Sequence, residues 1–268
     1  MPINTLAGKH AIITGAGTGV GAATALALAA KGVHVLINYR SSVESAKEIG
    51  AQCRQMGVDA FEMQADVSIE DACSNLVNTA VQRWGKESLD LLVNCAGITQ
   101  FVPLEQLDKL NVEDFLDIFQ VNTLGPFLMA RAASKHMKHG AAIVSVSSLS
   151  AQTGQGSSIP YVLSKAALNA LTLSLARAFA PRIRVNAVMP GMIEGRWLLD
   201  GLGPDLYQRV KQSFTETSLL GKICSPEEIA HSLLWLLDPS CIMTGQVVTV
   251  DAGFTLGKPP TPTASNRK

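Results

Sequence analysis

Tyr161 and Lys165 stand four residues apart at the start of an Ala- and Leu-rich stretch of helical period, Ile159-Pro160-Tyr161-Val162-Leu163-Ser164-Lys165. Residues at that spacing share one face of a helix, so a phenol and an ammonium can meet a common ligand. A free phenol titrates near pH 10; using it as an acid or base near pH 7 takes about 4 kcal/mol of stabilisation of its anion. A neighbouring ammonium supplies this by opposite charge rather than by burial, so the sequence predicts a lowered proton affinity at Tyr161 and a proton-transfer role for it. Alone the pair is weak evidence, because a chain with twelve lysines and three tyrosines produces a Tyr-xxx-Lys readily by composition.

A second signal lies near the N-terminus. Thr14-Gly15-Ala16-Gly17-Thr18-Gly19-Val20-Gly21 falls where a β-rich run ends and a helical pattern begins. Glycines let backbone approach a pyrophosphate, and the amides and dipole of the following helix start favour the anion. The spacing fails GxGxxG at Gly15, Gly17 and Val20 but fits TGxxxGxG at Thr14, Gly15, Gly19 and Gly21. A tight strand-to-helix turn without a ligand is the bland alternative.

These residues need elements to position them. Short β-rich runs at 10–14, 33–38, 59–64, 89–94, 141–147, 183–188 and 246–250 alternate with helical patterns near 19–31, 42–56, 69–84, 111–138, 160–180 and 226–237. That alternation predicts βαβ units around a parallel sheet of about seven strands with helices on both faces. Ser225 with Pro226, Glu227 and Glu228 reads as a helix start. The Gly-rich segment from Pro190 to Ile223 is either a loop or a pair of short helices over a site. Residues 1–257 are expected to form one domain, with 258–268, rich in Pro, Thr and Ser, as a disordered tail.

The turn and several later segments resemble the short-chain dehydrogenase/reductase family, from Leu6 to about Leu256. Asn94-Cys95-Ala96-Gly97 is similar to the family's NNAG signature, with Cys95 replacing the second Asn; Asp66-Val67, Pro190-Gly191 and Thr244-Gly245-Gln246 also match. The resemblance implies a single-domain, doubly wound Rossmann sheet and a catalytic set of Asn122, Ser148, Tyr161 and Lys165. Ser148 stands thirteen positions before Tyr161, the family's spacing, with Ser147 and Ser150 as competing hydroxyls. By the same resemblance Asn122 holds a water linking Lys165 to solvent, and Lys165 also bonds the nicotinamide ribose. Cofactor contacts are then expected from Thr14, Gly15, Gly17, Thr18, Gly19, Val20, Gly21, Asp66, Val67, Asn94, Ala96, Gly97, Tyr161, Lys165, Pro190, Gly191 and Ile193. Relatives often carry Thr where this chain has Gly195, and the segment beyond, with Arg196, Trp197, Leu198, Leu199 and Tyr207, suits a partly apolar ligand.

After the second strand, Asn38 occupies the place read as that of the NAD-selecting Asp, and Arg40, Ser41 and Ser42 follow. A neutral Asn38 and a guanidinium two residues on favour NADP(H), with NAD(H) as the alternative. The expected reaction is hydride transfer to a carbonyl, as in a carbonyl or 3-ketoacyl-type reductase. A sugar or secondary-alcohol dehydrogenase is the enzyme alternative, and a non-catalytic dinucleotide-binding sensor or scaffold the alternative of another class.

With 22 Lys+Arg against 22 Asp+Glu, no basic field points to nucleic acid or membrane, and a small-molecule partner is expected. Five scattered cysteines without CxxC, an N-terminus unlike a signal peptide and no run of roughly 18 or more apolar residues suggest the cytoplasm. His136 and His139 lack a third ligand and read as a solvated helix end, so no metal is expected. The apolar stretches 111–138 and 160–180 imply a homo-oligomer, a tetramer or dimer.

Overall fold

The computed structural model describes residues 5–257; the tail assigned to 258–268 lies outside the described residues. Seven strands, β1 (His10–Thr14), β2 (His34–Tyr39), β3 (Ala60–Gln64), β4 (Leu89–Asn94), β5 (Met137–Val146), β6 (Ile183–Pro190) and β7 (Val247–Val250), form one parallel sheet of order β3-β2-β1-β4-β5-β6-β7. Strand order reverses between β1 and β4, and in such sheets the crevice beyond the strand ends at that reversal is where ligands bind.

Both faces of the sheet are covered. Along β1, Ile13 packs with α1 (Gly19–Ala29), α2 (Val43–Gln55) and α10 (Pro226–Leu237), while its neighbour Ile12 packs with α3 (Glu70–Trp84), α5 (Gly125–Ser134) and α7 (Ile159–Phe179). Successive side chains point to opposite faces, so a strand buried on both sides reads as a continuous apolar run, as β1 and β4 do. The doubly wound fold expected from the sequence is the fold observed. Ser225 caps α10 in a capping box with Glu228, and Pro226 takes the first helical position.

Three elements depart from the sequence reading or resolve what it left open. The helix expected over 111–138 is three pieces: α4 (Val112–Phe119), a π-turn (Gln120–Leu124) and α5. Pro126 lacks the amide that would bond the Asn122 carbonyl four residues back, so the ladder is interrupted just where the π-turn sits. α5 ends early because Arg182 Nη1 donates to the carbonyls of Ser134 (2.8 Å) and Met137 (2.7 Å), and β5 then starts at Met137. His139 is consequently an exposed strand residue, not a helix end.

The second is the segment 190–223, which carries two short helices, α8 (Arg196–Leu202) and α9 (Pro204–Thr217), the paired-helix one of the two alternatives the sequence left open. A four-residue helix, α6 (Ser150–Thr153), also follows β5. Third, the 21-residue α7 is long and apolar enough to cross a membrane on length and composition alone, which the sequence reading overlooked. Its inner face, with Tyr161, Lys165, Leu168 and Thr172, is buried against β6 and the π-turn. The apolar composition of that face serves a core.

Candidate active site

The C-terminal ends of the central strands bring the expected residues together. Thr14, Asn94 and Ser145 are register partners across β1, β4 and β5. Thr14 Oγ1 accepts from the amides of Cys95 (3.1 Å) and Ala96 (3.2 Å), and Asn94 Nδ2 donates to Ser145 Oγ (3.3 Å). Two loops are thereby tied at one point. Gly15 sits there with φ +63, and a Cβ on it would lie 2.8 Å from the Ala96 backbone; a Cβ on Gly21 would lie 2.4 Å from the Gly15 carbonyl oxygen. Only glycine allows this close approach.

Thr18 and Gly19 open α1 at the surface, with no side-chain cap and no acidic residue in the first turn. The bare positive end of a helix, beside glycines that keep side chains away, fits a dinucleotide pyrophosphate. Val20 is half-buried behind it. Ser42 is packed into this turn, because a Cβ on buried Gly17 would lie 2.1 Å from the Ser42 hydroxyl, whereas Ser41 is exposed.

Asn38 takes a place other than the one assigned to it. Its side chain is buried, with Oδ1 accepting from the Gly15 amide (3.3 Å) and Nδ2 donating to the carbonyls of Ala65 (3.0 Å), Met63 (3.3 Å) and Tyr39 (3.4 Å). An amide committed to four backbone groups is not free to hold or refuse a ribose substituent. Asn38 instead latches the glycine turn to the ends of β2 and β3. The alternation of β2 carried the signal: Asn38 lies inside the apolar run that ends only at half-buried Tyr39.

Arg40, by contrast, is exposed at the rim of a pocket of about 180 Å³ shared with Asp66, Ser68, Ile98 and Gln120. Burial works against the Asp66 carboxylate, but hydrogen bonds from Ser68 and the Arg40 charge 3.9 Å away hold it below the usual carboxylate range. Val67 is buried against Gly125, where a Cβ would lie 3.1 Å from it. At the far side of the crevice Gly191 packs on Asp251 and bonds the Val250 carbonyl, and Ile193 bridges to Cys224. Pro190 ends β6, and its carbonyl accepts from Leu149 (2.8 Å).

Tyr161 and Lys165 occupy the first turns of α7, which Ser158 caps through the Tyr161 amide. Lys165 Nζ donates to the Val146 carbonyl at the end of β5 (2.8 Å) and lies 5.7 Å from the Tyr161 ring centroid. Burial lowers Lys165 from its ordinary 10.5 to about 8, partly offset by the Cys95 thiol. Burial pushes Tyr161 up to about 12, against the pull of a hydrogen bond from Ser148. The sequence reading expected the ammonium to set this phenol; within the chain itself desolvation is the largest cause.

Ser148 Oγ also bonds Ser150 Oγ (3.0 Å). Its rival Ser147 is buried and committed to Asn169 Oδ1 (2.6 Å) and the Lys165 carbonyl, so only Ser148 faces the phenol. Asn122, fully buried in the π-turn, has its side chain engaged by the Ile98 amide and carbonyl (2.8 and 2.9 Å) and by Ser164 Oγ (3.0 Å). The side chain thus anchors the loop after Gly97, and Pro126 has no amide to offer the Asn122 carbonyl four residues back. A Cβ on Gly97 would lie 3.3 Å from Asn122 Oδ1 and 3.6 Å from Lys165 Nζ, so the Asn-Cys-Ala-Gly loop closes directly over the pair. Sequence reasoning missed the Val146 carbonyl, a backbone group without a residue signature.

A family model described as Enoyl-(Acyl carrier protein) reductase matches residues 15–255. Across 250 residues the chain is 33% identical to the 3-oxoacyl-[acyl-carrier-protein] reductase of Staphylococcus aureus, covering 92% of this chain and 98% of that protein. It belongs to the short-chain dehydrogenase/reductase family. Another member, the cis-4-hydroxycyclohexanecarboxylate dehydrogenase of Sinomonas cyclohexanicum, is 34% identical over 251 residues, covering 92% of this chain and 96% of that one. A solved short-chain dehydrogenase of Burkholderia cenocepacia, in complex with NADP, superposes with a TM-score of 0.84 at 31% identity, covering 94% and 99% of the two chains. As a member of the family, the chain is an NAD(P)-dependent oxidoreductase acting on CH–OH or C=O groups. Among the described residues no cluster of three or more His, Cys, Asp or Glu is placed to hold a metal ion.

Proposed function

We propose that this short-chain dehydrogenase/reductase uses NADPH to reduce a ketone to a secondary alcohol, in the manner of a carbonyl or 3-ketoacyl-type reductase. The observation that carries the reading is the buried phenol of Tyr161, beside the Ser148 hydroxyl and one helical turn from the Lys165 ammonium. A bound nicotinamide dinucleotide supplies the hydride. Ser148 donates a hydrogen bond to the substrate carbonyl oxygen, which favours the charge that builds there. Tyr161 delivers its proton to that oxygen as the carbonyl is reduced. Lys165, with its ammonium positioned by the Val146 carbonyl, stabilises the phenolate left behind. Asn122 keeps the loop from Asn94 to Ile98 closed over the pair, and its carbonyl, to which Pro126 can offer no amide, is suited to hold a water leading to Lys165.

Exposed Arg40 supports the phosphorylated cofactor, since its guanidinium, loosely paired with Asp66 at 3.9 Å, is within the solvent and able to turn toward a 2′-phosphate, with exposed Ser41 beside it. The NADP bound in the Burkholderia relative agrees with that choice. A second reading, oxidation of a ring-borne secondary alcohol, is supported by the Sinomonas relative and uses the same residues in reverse. The sensor alternative has no use for a buried Tyr-Lys pair beside the half-buried Ser148. Exposed Val112, Leu116 and Phe119 on α4, with Leu163 and Leu173 on α7, support a homo-oligomer, and a cytoplasmic enzyme with a small-molecule substrate completes the reading. The test follows reduced-nicotinamide absorbance with a panel of ketones, ketoacyl thioesters and sugars, for wild type and Tyr161→Phe. Turnover lost in the variant supports the reading; turnover retained overturns it.

A further inference from the structure

α8 is held to the rest of the molecule differently from its neighbours. It starts at Gly195 (φ +153) and stops at Gly203 (φ +75), and a Cβ on either glycine would meet nothing within 4 Å. Both ends therefore turn on glycine backbone with open space where a side chain would stand, and a residue other than glycine would be strained at 195. Between these ends the helix backbone rests on one ring. A Cβ on Gly201 would fall 2.0 Å from Cε2 of Phe101 and 2.3 Å from Cδ2 and Cζ. The loop bearing Phe101 is itself pinned, by Val102 N donating to the Ser157 carbonyl (2.8 Å) and by the Thr99 and Ser157 hydroxyls 2.5 Å apart.

Trp197 lies four residues before Gly201, hence on the same face of α8 and about 6 Å along its axis. Its ring meets the Tyr161 ring edge-on, with centroids 6.0 Å apart at 75°, and half of Trp197 stays exposed. One stripe of the helix thus touches Phe101 with its backbone and Tyr161 with its indole. We propose that Phe101 and Gly201 seat α8 so that Trp197 forms an aromatic wall beside Tyr161, and that this wall selects ketones carried on or next to a flat ring over open-chain ketoacyl thioesters. The proposal rests on the reading of Tyr161 as proton donor to a carbonyl. A ring ligand buries the exposed indole and can meet it stacked or edge-to-face, whereas an acyl chain offers it only methylenes. Trp197 touches the substrate; Phe101 and Gly201 are positioning residues.

Gly201→Ala separates seating from folding. At an exposed helix position alanine ordinarily stabilises relative to glycine, so the variant keeps its helix while the new methyl pushes α8 off the Phe101 ring. The experiment measures steady-state kinetics with NADPH for 1-tetralone and for acetoacetyl-N-acetylcysteamine, in wild type, Trp197→Ala, Trp197→Phe and Gly201→Ala. Calorimetric binding of 1-tetralone to each protein saturated with NADP+ runs alongside. In both Trp197→Ala and Gly201→Ala, the ratio of kcat/KM for tetralone over thioester should fall at least about tenfold, through KM more than kcat, with Trp197→Phe restoring most of it. Tetralone affinity should fall in parallel. An unchanged ratio with unchanged tetralone affinity overturns the wall, and if wild type turns over neither substrate, the calorimetric comparison decides it. Turnover retained in Tyr161→Phe would sink the proton-donor reading while leaving the wall to stand or fall on binding.

Discussion

The cradle at the end of β1 and the cover at α8 are built in opposite ways. In the cradle, backbone meets backbone. Gly15 abuts Ala96, Gly21 abuts the Gly15 carbonyl, and the buried side chains of Thr14 and Asn38 are spent on main-chain groups. In the cover, glycines stand at open ends, and the helix leans on two aromatic side chains. A backbone lock admits few residues, so almost any substitution in the cradle costs it its shape. A side-chain seat can be recut by one substitution, which is what a change of substrate requires. Tyr161, Lys165 and Ser148 lie on the seam between them.

The sharpest way to break this contrast is Tyr161→Phe. If the halves are separable, kcat falls by about 10² to 10⁴, the range that a positioned acid contributes, while NADP+ affinity by calorimetry stays within a few fold. Lys165→Ala should impair both, because its ammonium lies under the Gly97 loop. A Tyr161→Phe protein that loses cofactor affinity as steeply as turnover would show that the seam belongs to the cradle.

Asn38→Asp tests the cradle alone. The carboxylate would face the carbonyls of Ala65 and Met63 with no proton to offer them, in a buried site. A loss of about 3 kcal/mol is expected, seen in calorimetry as a fall in Tm of roughly 6–12 °C. On the sequence reading the same substitution would turn the enzyme toward NADH. A variant that melts with wild type and prefers NADH would restore that reading and remove the latch.

These two substitutions also mark how far the sequence could be read. The TGxxxGxG spacing, the strand alternation and the Tyr-Lys and Ser-Tyr spacings are local patterns, and the elements they imply are those found. What escaped was set by tertiary contact. Asn38 was read as a cofactor contact because it stands after the second strand at the place assigned to the NAD-selecting Asp, and only the meeting of β1, β2 and β3 shows its side chain turned inward. The break at Gln120–Leu124 follows from Pro126, a residue visible in the sequence, yet the surrounding apolar period masked it. Tyr161 was expected to be tuned by charge, but burial, which no spacing reveals, sets its direction. Phe101 acquires meaning only through Gly201, a hundred residues away.

Arg40→Ala probes the outer rim, where the cradle is least locked. A charge-assisted hydrogen bond is worth about 1.5–3 kcal/mol, so the ratio of kcat/KM for NADPH over NADH should fall roughly 10- to 100-fold. The Asp66 carboxylate 3.9 Å away competes for the guanidinium and favours the lower end. Equal or NADH-favouring values in the wild type would remove the NADPH assignment without touching the latch or the wall.

The smallest effect, and the finest test of the seam, is a pH dependence of stability. Lys165 falls from its ordinary 10.5 to about 8 on folding, because burial disfavours its charged form. Between those values the unfolded chain holds a proton that the folded chain lacks, so stability rises with pH there. The contribution is complete above 10.5 and is lost as pH falls through about 8. Lys165→Met removes it, so urea denaturation should show the wild type gaining on the variant by about 1 kcal/mol from pH 8 to 9, near the one-proton slope. The Tyr161 phenol, raised from 10 to about 12, acts in the opposite sense but only above pH 10, outside the window. The thiols of Cys53 and Cys73, raised from 9.0 to about 11, titrate alike in both proteins and cancel in the difference. A difference that stays flat from pH 8 to 9 would mean that Lys165 keeps its full charge when folded. The ammonium would then face the crevice as solvated charge, and opposite charge rather than burial would again be the force expected to set Tyr161.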